Sequence, residues 1–201
     1  VDTTGAYPSL NDRKSLAQKS EEKLKDLVRV FEVGNLLAAI GQYDDARVFF
    51  KHILIDYQGR EIYNNLGVVT VLEALEYFPE SERKYRLPLE LDMTFGAGSK
   101  DGFGDKVERR TKLLREAISY FNNAISMDPE YAPAYLNKAC AYYMLGDNDR
   151  AAFYAGVEAQ RNPQKYSKTV TDAKVLMAML TARTGDTEAA IQQLEQLEAP
   201  S

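Results

Sequence analysis

From Leu114 to Pro163 the apolar positions fall at helical spacing. Ala117, Ile118, Phe121, Ala124 and Ile125 recur at intervals of three and four and form one apolar stripe. Pro129 cannot continue that helix, which is expected to end near Asp128. Pro133 suits the first turn of a next helix, where its missing N–H costs nothing. That second helix carries Tyr135, Leu136, Ala139, Tyr142 and Tyr143 and is expected to stop at Gly146. Asp147 and Asp149 are cap candidates for the helix after it.

Small residues give the longer period. Gly34, Ala139 and Ala178 each stand twelve positions before a second small residue, Ala46, Ala151 and Ala190. Gly67 and Ala117 make the same kind of pair with an insertion between them. Ala117 to Ala151 is 34 residues, as is Pro129 to Pro163, and Gly34 to Gly67 is 33. A recurrence near 34 residues predicts a helix–turn–helix solenoid. The small residues mark where two antiparallel helices cross too closely for a larger side chain.

The segments NLG at 65–67, GQYDDA at 41–46, LGDNDRA at 145–151 and TGDTEAA at 184–190 resemble the helix and turn signatures of the tetratricopeptide repeat family. The resemblance covers roughly residues 27–78 and 112–199. It implies an all-α solenoid of antiparallel helix pairs with about four repeats: 27–59, 60–78 plus 112–131, 132–165 and 171–199. A tail and capping helix would occupy 1–26 and an insertion arm 79–111. Lys138 and Glu158 depart from the pattern, standing where apolar residues are usual, and no repeat carries the family's Trp.

In that family the first helix of each repeat lines the concave surface, so the resemblance implies a groove for a peptide or partner segment. Repeat one would supply Phe31, Glu32, Asn35 and Ala39, and repeat two Asn64, Asn65, Val68 and Leu72. Repeat three would add Leu136, Asn137, Cys140, Tyr143 and Met144, and repeat four Val175, Met179 and Arg183. Asparagines recur along this line. An amide offers acceptor and donors together, and so can hold the C=O and N–H of an extended peptide whatever its side chains. Asn35 and Asn65 match the family's peptide-gripping asparagines. The family's clamp for a terminal carboxylate is not implied, because Phe31, Pro133 and Asn137 stand where its cations would be.

The insertion has a different pattern. Tyr85, Leu87, Leu89, Leu91 and Met93 alternate with polar residues and Pro88, which predicts an extended segment at an edge or unpaired. Gly96, Gly98, Gly102 and Gly104 then mark a loop. GAGSKDG fails both the P-loop and GxGxxG patterns, so the loop is not read as a phosphate cradle. An arm folded over the solenoid, or contacting a partner or a second copy, is the expectation.

Composition narrows the function classes. A net charge of −5 argues against nucleic acid as main partner, since phosphate binding needs a basic footprint. No apolar run is long enough for a membrane span. His52 is the only histidine and Cys140 the only cysteine, which removes zinc clusters and intrachain disulfides from consideration. Cys140 reads as a small packing residue and His52 as a surface one. Neither GxSxG nor HExxH occurs, and carboxylate pairs such as Asp44–Asp45 sit at helix starts where the dipole explains them. No enzyme activity, cofactor or metal is expected. The chain begins with Val1 and is read as a soluble piece, either an exported mature chain or an excised domain. The expected function is a protein-interaction scaffold. Self-assembly into a homo-oligomer through the arm or the last helix is the alternative, as is an accessory domain of a larger enzyme.

Overall fold

The computed structural model describes residues 10–78 and 103–198, all helix and turn. Eight α-helices follow in order among them: α1 (Leu10–Ala39), α2 (Tyr43–Ile53), α3 (Arg60–Glu76), α4 (Phe103–Met127), α5 (Ala132–Leu145), α6 (Asn148–Gly156), α7 (Ser167–Arg183) and α8 (Thr187–Glu198). One 3-10 turn, Glu158–Gln160, follows α6. The local signals act as the sequence predicts. α4 ends just before Pro129, and Pro133 lies in the first turn of α5. Gly146 closes α5 in the left-handed region at φ 80°, where a side chain would be strained. The Asp147 carboxylate then caps α6 by accepting from the Arg150 N–H at 3.1 Å.

Helices pack in consecutive pairs, α1 with α2, α3 with α4, α5 with α6 and α7 with α8. The odd-numbered helices also touch in sequence, α1 to α3 to α5 to α7, whereas no two even-numbered helices approach at backbone level. The odd helices therefore form the tighter, inner layer of a curved solenoid.

Each pair is closed by a small residue on its first helix. Gly34 of α1 lies under the ring of Phe50 of α2, and Gly67 of α3 lies under Phe121 of α4. Both rings are fully buried. Ala139 and Ala155 hold the corresponding positions in α5 and α6 and are also fully buried. Glycine thus accompanies a phenylalanine on the partner helix, and alanine accompanies alanine. The period-34 pattern is the imprint of this complementarity of volumes, close packing leaving no slack for both to be large.

Two residues that depart from the expected apolar pattern, one in α5 and one in the 3-10 turn, are satisfied in place. Lys138 is buried with its ammonium 4.0 Å from the centre of the Tyr154 ring. Buried Glu158 accepts from Arg161 at 2.6 Å. Cys140 is fully enclosed, and burial pushes its thiol up to about 12. It is expected to stay unmodified by a thiol reagent at pH 8 in the native protein and to react at once in denaturant. Fast native-state labelling would show that α5 opens locally.

Two of the expected segments run on into longer helices. α1 runs unbroken from Leu10 to Ala39, so the helix expected within 1–26 leads directly into the first helix pair. Of the insertion read as 79–111, residues 79–102 lie outside the described residues, and 103–111 form the first turns of α4. Those turns dock on the end of α3. Arg109 stands over the Tyr77 ring at 5.1 Å and Arg110 over the Phe78 ring at 4.1 Å.

A charged cluster crosses three helices beneath this contact. Arg47 of α2 donates to Glu73 of α3 at 2.5 Å and to Glu116 of α4 at 2.8 Å. Arg109 adds a longer pair to Glu73 at 3.6 Å, and the Tyr120 hydroxyl donates to Glu116 at 3.0 Å. Glu73 is only 6% exposed. Its carboxylate at that depth requires both cations.

Candidate functional site

A cavity of about 540 Å³ opens on the inner layer, a size within the roughly 300–1,000 Å³ common for binding pockets. Residues of α1, α3, α5 and α7 line it in turn, together with the α4–α5 and α6–α7 connections. Its floor is apolar, from Ala38, Val68, Val69 and Leu136. Asn35, Asn64, Asn65 and Asn137 provide the amides.

Those four amides are joined in a relay across three helices. Asn137 donates to Asn64 at 2.9 Å, Asn64 to Asn65 at a long 3.4 Å, and Asn65 to Asn35 at 2.7 Å. The relay runs one way, so its α1 end presents the Asn35 NH2 and its α5 end the Asn137 carbonyl oxygen. Burial divides it. Asn64 and Asn137 are 7% and 9% exposed, while Asn35 and Asn65 are half-buried and face the opening. An amide within the relay uses one lone pair and one N–H, and keeps one of each for a ligand. The inner pair orients the outer pair. Asn137→Ala would leave the buried Asn64 oxygen without its donor, and is expected to cost about 1–3 kcal/mol in urea unfolding.

Of the sixteen residues read as groove positions, Asn35, Asn64, Asn65, Val68, Leu136 and Asn137 are brought to this cavity together. The others lie elsewhere. Phe31 packs its ring on Phe50, centroids 5.8 Å apart. Arg183 stands over the Tyr143 ring at 3.6 Å and donates to the Tyr143 carbonyl oxygen at 2.6 Å, tying α7 to α5. Met179 is half-buried against the core. Leu72 and Cys140, expected on the concave side, are fully buried instead.

The cavity's far end is built by residues that helix periodicity did not single out, Tyr131, Pro133, Lys165, Tyr166, Lys168 and Asp172. Most stand in or beside inter-helix turns, where the apolar period has no reading. Burial raises the Asp172 carboxyl above its ordinary value, and neighbouring Lys168 partly offsets this. Tyr166, at the start of α7, gives that helix no side-chain cap, and its hydroxyl is buried without a hydrogen-bond partner. Among the described residues no group of His, Cys, Asp and Glu could hold a metal ion, and no helix is long and apolar enough to cross a membrane.

Comparison with curated proteins found no match. Repeats of the tetratricopeptide family generally mediate protein–protein interaction. Residues 120–152, from the last turns of α4 through α5 into α6, match the family model of the tetratricopeptide repeat, and with the paired helices around them the chain is an all-α, tetratricopeptide-like solenoid.

Proposed function

We propose that the chain is a non-catalytic interaction module that holds an extended peptide segment of a partner in the inner cavity. The observation that carries this reading is the asparagine relay. Four amides converge on one opening with spare donors and acceptors over an apolar floor, which suits a peptide backbone plus a few apolar side chains. Affinity is expected in the micromolar range, because an extended segment loses conformational freedom on binding.

Asn35→Ala with Asn65→Ala tests it. Each lost backbone hydrogen bond is worth about 0.5–1.5 kcal/mol, so the double variant is expected to bind the partner segment at least about fivefold more weakly. Helicity is expected to stay close to wild type and stability to fall by no more than about 1 kcal/mol, since both side chains are half-buried and the buried Asn64 loses only a long 3.4 Å bond. Equal capture by both proteins would rule out the cavity as the binding site.

A second reading rests on α8, where Ile191 and Leu194 are 51% and 40% exposed. That apolar face supports self-assembly of copies. Mass that rises with concentration, and falls back in Ile191→Glu, would favour it over the cavity.

A further inference from the structure

Each helix pair meets the next through one recurring contact. The second helix of a pair packs on the first helix of the pair that follows: α2 on α3, α4 on α5 and α6 on α7. Among the described residues no second helix precedes α1 and no first helix follows α8. The two ends of the solenoid are the unmatched halves of that contact.

Burial at matching positions bears this out residue by residue. Four positions after the small residue of each second helix stand Phe50, Phe121 and Ala155, all fully buried, and then Leu194 of α8, which is exposed. One position after it, Ile118 of α4 is buried and Ile191 of α8 is exposed. The first helices show the converse. Two positions after their small residue, Val69, Ala141 and Leu180 are buried, whereas Leu36 of α1 is 62% exposed. One position before it, Leu66 of α3 is fully buried and Val33 of α1 is exposed.

One joint shows which positions meet. Arg47 of α2 stands one position after its small residue, and it reaches Glu73 of α3, six positions after Gly67. The same two positions at the free ends are Ile191 and Ile40, both exposed. An inner charge pair is thus replaced by two isoleucines that fit one another. The charges around them also match in sign. α8 carries three glutamates and no basic residue, while the Val33, Leu36 and Ile40 stripe continues back along α1 through Arg29 and Lys25. Helices joined by short turns run antiparallel, so the same packing brings these cations to the C-terminal end of α8. In their own helix they pair with Asp26 and Glu21 in exposed bridges of little strength.

Resting on the self-assembly reading of α8 above, we infer that the exposed face of α1 in one copy seats on α8 of another, as α3 seats on α2. The contact is head to tail. Each added copy presents a fresh end, so growth passes beyond two copies, which a two-fold contact of α8 with α8 forbids.

The test is sedimentation equilibrium of the full chain, of Leu36→Glu, of Ile191→Glu and of the two variants mixed in equal amounts. Both positions are exposed, so wild-type helicity and melting are expected in each variant. Wild-type mass is expected to rise with concentration past twice the 22.6 kDa of one chain. Each variant alone has one spoiled end and is expected to stay monomeric. In the mixture the intact α8 of one variant meets the intact α1 of the other, and the mass is expected to reach a single pair and stop.

Wild-type association of Leu36→Glu, with Ile191→Glu monomeric, would overturn the inference and leave the α8 reading standing, because α8 would then be meeting α8. A mixture that stays monomeric, or a wild type that levels off at two copies, would also overturn it. A wild type that is monomeric throughout would overturn both readings and leave the end faces to a helix of another protein.

Discussion

Arg47→Met is expected to lower the stability of the chain by about 3 kcal/mol in urea unfolding. Methionine keeps the apolar stem that lies along α3 and α4, so the loss isolates the charge. Two carboxylates, Glu73 and Glu116, are then left near one another, with Glu73 almost fully enclosed. Removing one partner of a buried pair typically costs about 3–5 kcal/mol. The lower figure applies here because Arg109 still reaches Glu73 at 3.6 Å, and the Glu116 side chain is 33% exposed and hydrated. The exposed pair of Lys23 and Asp56 serves as contrast: Lys23→Ala is expected to change stability by less than about 1 kcal/mol. Equal, small effects at the two sites would mean that the three-helix cluster is solvated and contributes no more than a surface pair.

Gly67→Ala carries the other large effect, and its sign separates two physical accounts. As a change within an isolated helix it would stabilise by about 1 kcal/mol, since alanine is the better helix former. In the fold, an added Cβ would stand 2.3 Å from the Phe121 ring, closer than real contacts allow. That ring is fully buried and has nowhere to withdraw. Overpacking of this kind costs about 1–3 kcal/mol or more, so the net expectation is destabilisation. Phe121→Leu in the same chain is expected to recover part of the loss, giving a clear coupling in a double-mutant cycle. Gly34→Ala meets Phe50 at 2.7 Å and is expected to be milder. A stabilised Gly67→Ala would show that α3 and α4 cross with room to spare.

Much of the fold was legible because its signals are local. Pro129, Pro133, Gly146 and Asp147 act within one turn of where they stand, and their effect needs no knowledge of the remaining chain. The pairing of Gly34 with Phe50 was half legible: the period exposed the small residues, while the large ring opposite each is known only once the helices are docked. The length of α1 was only partly legible, because its first half is charged and only its second half carries the repeat pattern. Arg47, Glu73 and Glu116 had no visible relation, being 26 and 69 positions apart from Arg47 in the chain.

The site divides along the same line. Positions on the inner face of a helix follow from the family resemblance, and six of the sixteen so chosen converge on the cavity. That the asparagines bond to each other before they meet any ligand is a tertiary fact, as are the depths that separate Asn64 and Asn137 from Asn35 and Asn65. Lys165, Tyr166 and Lys168 come from a turn and the first residues of α7, where neither the apolar period nor the helix signature points inward.

The most direct measurement is a ¹H–¹⁵N NMR titration of the intact chain with an excess of an extended, uncharged peptide of Ala, Leu, Ser and Gln with both ends blocked. The expected result is perturbation centred on the side-chain amides of Asn35 and Asn65 and on the backbone of Val68 and Thr169, which line one opening. Shifts confined to Ile191 and Leu194 of α8, with both asparagine amides unmoved, would contradict the cavity as the binding site.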